Sequence, residues 1–121
     1  MTAEGKLITK ARAQAKSLLR KDLPERWQHS IGVATRAKEL AVTVPPAQRA
    51  LLVASAWLHD IGYSPRLKRT GFHPLDGGTY LRDRGWEEEL CALVAHHSGA
   101  RFVPVERGFT QLLESFSFQE C

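Results

Sequence analysis

The chain has 121 residues, and 17 Lys and Arg against 13 Asp and Glu give it a formal net charge of +4. Hydrophobic residues make up 43% of the chain and charged residues 25%, a composition that favours one globular core and excludes collagen-like and wholly disordered proteins. The most apolar stretch, Ala50–Leu58, is far too short to cross a bilayer, and the N-terminus lacks the apolar region of a signal peptide. We therefore expect a cytoplasmic protein that binds no membrane and, because its basic residues are dispersed, no nucleic acid.

Helical periodicity runs along almost the whole chain, whereas alternating strand patterns are nearly absent. A first helix is predicted from about Glu4 to Arg20, with its apolar residues on one stripe and its Lys and Arg residues opposite. Pro24 suits the first turn of a second helix, which is predicted to run to about Val42. The pair Pro45-Pro46 then breaks that helix, because proline lacks the N–H that a helix interior needs.

The third predicted helix, roughly Ala47–Ile61, is apolar on nearly every face, which is typical of a central helix buried on all sides. Gly62 is predicted to stop this helix, and a basic loop, Tyr63–Thr70, follows it. Two shorter helices and a last amphipathic segment are predicted at about Pro74–Arg84, Trp86–His97 and Glu106–Phe116. The sequence thus predicts an all-α fold, a compact bundle of five to six helices that spans residues 1–121 as a single domain.

The two cysteines do not indicate a disulfide. Cys91 lies inside an apolar helical stretch, and Cys121 is the last residue of the sequence. We expect one buried thiol and one exposed thiol in a reducing compartment.

The five histidines are the residues most suited to chemistry, and they are His29, His59, His73, His96 and His97. His59 is followed by Asp60 at the end of the apolar third helix, where a buried carboxylate without a partner would be costly. A partner arginine, a helix N-terminus or a metal cation would each compensate that charge. Neutral imidazoles combined with a carboxylate suit Zn, Fe, Mn, Co or Ni better than Ca or Mg, which prefer oxygen ligands.

The spacing of the histidines bears on the choice between these possibilities. Neighbouring residues in a helix point about 100° apart, so His59 and Asp60 can converge on one ion only at a helix end. His96 and His97 have the same relation to the end of a later helix. A single histidine near a helix C-terminus is more simply explained by the helix dipole or by a hydrogen bond to a carbonyl. Two such histidine-containing pairs, one of which includes Asp60, favour a role as metal ligands over a purely structural role.

Four short histidine motifs occur in order along the chain: Trp27-Gln28-His29-Ser30, His59-Asp60-Ile61-Gly62, Phe72-His73-Pro74 and Ala95-His96-His97-Ser98. Together they resemble the HD-domain superfamily of metal-dependent phosphohydrolases, over nearly the whole chain from about Leu23 to Gly99. The likeness is to the members that hold two metals, a group that includes the cyclic-dinucleotide phosphodiesterases. It implies an all-helical fold in which ligands from several helices face one cleft.

The resemblance also implies a ligand set and a cofactor. His29, His59 and Asp60 match the ligands of a first metal, and Asp60 is placed to bridge to a second. The ligands of the second metal are matched by His73, His96 and His97. The implied cofactor is one or two divalent transition-metal ions, from among Fe, Mn, Zn, Co and Ni.

The activity implied by the resemblance is hydrolysis of a small phosphate monoester, nucleotide or phosphodiester by a metal-bound water, with His59 and Asp60 as its catalytic residues. The substrate is then a small phosphorylated or nucleotide-like molecule. Arg66, Lys68 and Arg69 follow the His-Asp pair, and we weigh two roles for them: contact with the substrate phosphate, or a solvated turn that serves solubility.

The chain also departs from the family pattern, which ends with a further Asp on a later helix. No Asp follows Asp83, so we expect the C-terminal part of the family fold to be missing, a Glu to replace the Asp, or activity to be lost. In a homodimer, the partner chain could replace the missing C-terminal helices.

Tyr63 stands where the cyclic-dinucleotide branch has a lysine, and the GYP signature is missing, which argues against a cyclic dinucleotide as the substrate. Two alternatives stay open: a non-catalytic module that binds a metal, ligand or partner chain, and a di-iron oxygenase.

Overall fold

The structure is a computed structural model that describes residues 2–96, with side chains through residue 95. The α-helices of this part of the chain are α1 Ala3–Leu19, α2 Pro24–Leu40, α3 Pro46–Leu58, α4 His73–Asp83 and α5 Glu88–His96. Three short 3₁₀ turns, at residues 41–43, 61–63 and 65–67, connect them. No strand occurs within residues 2–96, and the predicted all-α fold is confirmed. His97, the segment Glu106–Phe116 and Cys121 lie outside the described residues.

Helix α3 is the centre of the bundle, as its sequence predicts. All nine residues of Ala50–Leu58 are buried, and α1, α2 and α5 pack around them. Helix α1 packs on α3, and the buried residues of α1 include the small residues Ala11 and Ala15. Its N-terminus is capped by Thr2, whose hydroxyl accepts a hydrogen bond from the Gly5 N–H at 3.0 Å. No described helix is long and apolar enough to traverse a lipid bilayer.

Two tryptophans set the position of α2 on α3. The rings of Trp27 and Trp57 are stacked with their centroids 5.5 Å apart, and an aromatic pair of this kind adds to the energy of burial. His29 follows Trp27 by two residues, and His59 follows Trp57 by two residues. The tryptophan pair therefore fixes the register that brings the His29 and His59 rings to 5.3 Å between centroids.

The end of α3 differs from the prediction in two ways. The helix ends at Leu58 rather than at Ile61, because Asp60 leaves the helical conformation with φ −106° and ψ 8°. Gly62 is not a left-handed stop residue, since Gly71 and Gly85 are the only glycines in residues 2–96 with positive φ. Instead, a Cβ on Gly62 would overlap the backbone carbonyl of His73. The glycine is required because the N-terminus of α4 approaches the chain here.

Helix α4 contacts its neighbours closely through small residues. A Cβ on Gly78 would lie 2.6 Å from the Ala95 Cβ, so this glycine lets α5 approach α4. Gly85, with φ +82°, ends α4 in the manner typical of a glycine after a helix C-terminus, and the Trp86 N–H donates to the Leu81 carbonyl at 3.1 Å.

Cys91 is a buried free thiol on α5, as expected. Burial raises its pKa, because the thiolate loses hydration in the apolar interior.

Candidate metal centre

Three separate elements meet at the Asp60 carboxylate. Its Oδ2 atom lies 3.4 Å from Nε2 of His59, the residue before it, and 3.8 Å from Nε2 of His29 on α2. Its Oδ1 atom lies 3.9 Å from Nε2 of His73, the first residue of α4. The structure therefore brings together three of the predicted histidines. Oδ2 of Asp60 faces His59 and His29, and Oδ1 faces His73.

Burial is graded across this cluster. The Asp60 side chain is 4% exposed and that of His59 is 14% exposed, whereas His73 and His29 are 27% and 54% exposed. The carboxylate thus forms the floor of the site and His29 lies at its mouth. A charged group on such a floor requires compensation, and solvent can reach the site from the His29 side.

The tautomer of His59 follows from its hydrogen bond. Its Nδ1 lies 2.7 Å from the carbonyl oxygen of Ala56, and a carbonyl can only accept, so Nδ1 carries the proton and donates. The other ring nitrogen, Nε2, lies 3.4 Å from an oxygen of Asp60 and offers a lone pair when the ring is neutral. A cation bound between this nitrogen and the carboxylate oxygen would be coordinated by both. A backbone carbonyl that fixes a histidine tautomer is a common feature of metal sites.

The donor set fits a transition metal. His29, His59 and Asp60 each offer one ligand atom, and these atoms all lie within 4.8 Å of one another. Ligand atoms at 2.0–2.2 Å from one tetrahedral ion are about 3.4 Å apart, which is close to the His59–Asp60 distance. Two imidazole nitrogens and a carboxylate oxygen are ligands that suit Zn, Fe, Mn, Co and Ni. These residues could hold a divalent metal.

Arg26 is a component of the site that the sequence motifs did not identify. Its Nη1 lies 3.4 Å from Asp60 Oδ2, and its guanidinium lies over the ring of Tyr63, 3.9 Å from the centroid. The sequence did allow a partner arginine for Asp60 without naming one. The available signal was the spacing, because Arg26 precedes His29 by three residues and lies on the same face of α2.

Two of the three basic residues predicted to contact phosphate have other partners in the structure. Arg66 donates to the carbonyl oxygen of Ser17 at 2.7 Å, in the last turn of α1. Arg69 forms an ion pair with Asp83 at 2.7 Å, and Lys68 is exposed. Their contact with a substrate phosphate stays a prediction, as do the ligand roles of His96, at the end of α5, and His97.

The loop before His73 is held by a second buried aspartate, Asp76, which sequence reasoning missed. Its carboxylate accepts hydrogen bonds from the N–H groups of Arg69, Thr70 and Gly71 at 3.0–3.2 Å. The Thr70 hydroxyl donates to it as well, at 2.8 Å. Burial alone would raise the pKa of Asp76, but these donors together outweigh burial and lower the pKa. The signal available in the sequence was an acidic residue in the first turn of α4, after Phe72, which offers no capping oxygen.

Comparison with known protein families gave one match. The family model of the HD domain matches residues 26–113, which is nearly three quarters of the chain. The matched range begins at Arg26 and includes His29, His59, Asp60 and His73. Searches of curated proteins and of solved structures gave no significant match. The chain belongs to the HD-domain family.

Proposed function

We propose that this protein is a metal-dependent phosphohydrolase that acts on a small phosphate monoester, nucleotide or phosphodiester. The observation that carries the proposal is the convergence of His29, His59 and Asp60, whose ligand atoms lie within 4.8 Å of one another around a buried carboxylate. Membership of the HD-domain family and the 3.4 Å separation of His59 Nε2 and Asp60 Oδ2 support it.

The residues of the chain divide the work of such a site. His29, His59 and Asp60 would hold the metal, and the Ala56 carbonyl keeps the His59 ring in the tautomer that offers Nε2. When bound, a divalent transition metal supplies Lewis acidity toward phosphoryl oxygens and lowers the pKa of a coordinated water. We propose Fe, Mn, Zn, Co or Ni, with His73, His96 and His97 as ligands if a second ion binds.

Cationic side chains near the site would hold the anionic substrate. Arg26 is the arginine that contacts Asp60 within the described residues, and its side chain is 42% exposed, so a phosphate group can reach it from solvent. Arg66, Lys68 and Arg69 remain proposed contacts for a larger substrate, on condition that Arg66 and Arg69 leave their present partners.

A second candidate is a non-catalytic HD module that binds metal or a partner chain without turnover. The observation that favours it is the ion pair between Arg26 and Asp60, because this pair partly neutralises the buried carboxylate with a side chain of the protein itself.

The experiment that tests the proposal measures metal content and hydrolysis on the same samples. The full chain is purified, loaded in turn with Mn²⁺, Fe²⁺, Zn²⁺, Co²⁺ or Ni²⁺, and assayed with p-nitrophenyl phosphate, bis(p-nitrophenyl) phosphate and a nucleotide panel. We expect at least one equivalent of retained metal and metal-dependent hydrolysis, both lost in Asp60→Asn. Asp83→Asn is the matched control, since Asp83 is an exposed aspartate paired with Arg69.

The outcomes separate the candidates. Metal retention without hydrolysis of any ester would support the non-catalytic module, and absence of metal from the wild-type protein would contradict the proposed centre. Light scattering of the same samples tests the expected homodimer.

A further inference from the structure

Tyr63 lies at the contact between the Asp60 turn and helix α4. Its ring is stacked on the imidazole of His73, with centroids 3.9 Å apart and planes at 21°. The guanidinium of Arg26 lies 3.9 Å from the same ring centroid. Both groups cannot lie that close on one face of the ring without overlapping, so they occupy opposite faces. We call this arrangement the Arg26–Tyr63–His73 stack.

The two outer members of the stack contact different oxygens of one carboxylate. Arg26 Nη1 lies 3.4 Å from Asp60 Oδ2, and His73 Nε2 lies 3.9 Å from Asp60 Oδ1. The tyrosine ring thus lies between the arginine and the histidine, and each of these two groups faces a different oxygen of Asp60. Without the ring, the cation and the imidazole would be free to approach the same oxygen.

The backbone holds Tyr63 in this place. Its N–H donates to the carbonyl oxygen of Asp60 at 3.1 Å, in the 3₁₀ turn that follows α3. The preceding residue, Gly62, is in close contact with the backbone of His73. The tyrosine and the histidine are therefore brought together by the fold, even though Tyr63 is 38% exposed and contributes little to the core.

We infer that Tyr63 is a positioning residue of the candidate metal centre. Its ring holds the His73 imidazole toward Oδ1 of Asp60 and the Arg26 guanidinium toward Oδ2. The inference rests on the proposed function, because the groups that Tyr63 orients are those of the proposed metal site. Stacking energy supplies the physical basis, since aromatic and cation–π contacts of this geometry both favour the observed arrangement.

The test compares Tyr63→Leu and Tyr63→Phe with wild-type protein. The first readout is the ¹H–¹³C spectrum of the histidine rings in the full chain treated with chelator. His73 protons that lie over the tyrosine face are shielded, so we expect their resonances to move downfield in Tyr63→Leu and to stay in place in Tyr63→Phe. His29 is the internal reference, since its ring partner is His59 and not Tyr63.

The second readout is the affinity for Zn²⁺, measured by calorimetry. We expect Tyr63→Leu to lower it about tenfold, the lower end of the loss that follows removal of a residue that orients a metal ligand. Tyr63→Phe should bind Zn²⁺ like wild type, because the stack uses the ring. The matched control is Tyr80→Leu. Tyr80 lies in α4, two turns after His73, and its ring centroid is 4.7 Å from the guanidinium of Arg84.

Each outcome decides the inference. A folded Tyr63→Leu protein with unchanged His73 resonances and unchanged Zn²⁺ affinity overturns it, and so does a Tyr63→Phe protein as impaired as Tyr63→Leu. If Tyr63→Leu does not fold, Tyr63→Met replaces it, because methionine is long and apolar but cannot stack.

A wild-type protein that binds Zn²⁺ without hydrolysing esters contradicts only the proposed function. If wild type binds no metal, the candidate centre is contradicted and this inference is overturned with it.

Discussion

Asp60 and Asp76 are both aspartates with almost no exposed surface, but their surroundings differ. Asp76 accepts four hydrogen bonds of 2.8–3.2 Å, all from the loop that precedes α4. Asp60 has contacts of 3.4–3.9 Å to the side chains of one arginine and three histidines, and these come from three elements. The donors around Asp76 leave little capacity for another ligand, whereas the imidazoles around Asp60 leave room for a cation. Burial of a carboxylate therefore does not by itself indicate function; the kind and distance of its partners do.

The largest effect expected from this comparison is the loss of metal binding in Asp60→Asn. We expect the affinity for a transition metal to fall by more than about 100-fold, since removal of a ligand exceeds the loss caused by removal of a residue that orients one. The free energy of unfolding in chelator should change by less than about 1 kcal/mol, because the contacts of Asp60 are long and Arg26 is partly exposed. Calorimetry and urea unfolding measure the two quantities, and wild-type metal affinity in this variant would remove Asp60 from the site.

The opposite pattern is expected for Asp76→Asn. This substitution replaces an accepting oxygen with an NH₂ group that cannot accept from the loop, so we expect a loss of about 2 kcal/mol in the free energy of unfolding at neutral pH. Metal binding by His29, His59 and Asp60 should be largely retained. A variant that loses metal but not stability would show that the two aspartates do not have the separate roles described above.

The pH dependence of stability sharpens the same contrast. Because the folded-state pKa of Asp76 is lowered from its ordinary value of 3.8, its charged form stabilises the fold above that value. The contribution is lost as the pH falls through the lower folded-state pKa. We expect the stability difference between wild type and Asp76→Asn to be constant from neutral pH to about pH 5 and to shrink below about pH 4. A difference that grows in acid would contradict this assignment.

A further effect on stability is expected where the Asp60 turn meets α4. A Cβ on Gly62 would overlap the His73 carbonyl, so Gly62→Ala should cost about 1–3 kcal/mol of stability and move His73 away from Asp60. Gly32→Ala is the matched control, because nothing lies within 4 Å of a Cβ on this exposed glycine of α2. The control should gain about 0.5–1 kcal/mol, since alanine is the better helix former. Urea unfolding measures both changes, and equal effects would show that the contact at Gly62 can relax.

Several parts of this architecture could be read from the chain before its structure was known. The apolar stretch of α3 predicts a buried central helix, and the position of His59 and Asp60 at its end predicts a site there. The sequence places the end of α3 three residues too late, because Gly62 is the first residue that reads as a helix stop and nothing in the sequence shows that Asp60 leaves the helical conformation. Gly62 was assigned to a helix stop, because a sequence does not show whether a glycine serves a turn or a close contact.

The helical class, the central position of α3 and the histidines available as ligands all follow from the chain's own pattern, because periodicity and apolarity are properties of neighbouring residues. Only the tertiary structure decided that Arg26 faces Asp60, that Tyr63 separates Arg26 from His73, and that Asp76 binds its own loop instead of a cation. Arg26 and Asp60 are 34 positions apart, so their contact depends on how α2 packs against the end of α3. That packing is set by many weak contacts of the whole core, including the tryptophan pair of α2 and α3, and no local motif encodes it.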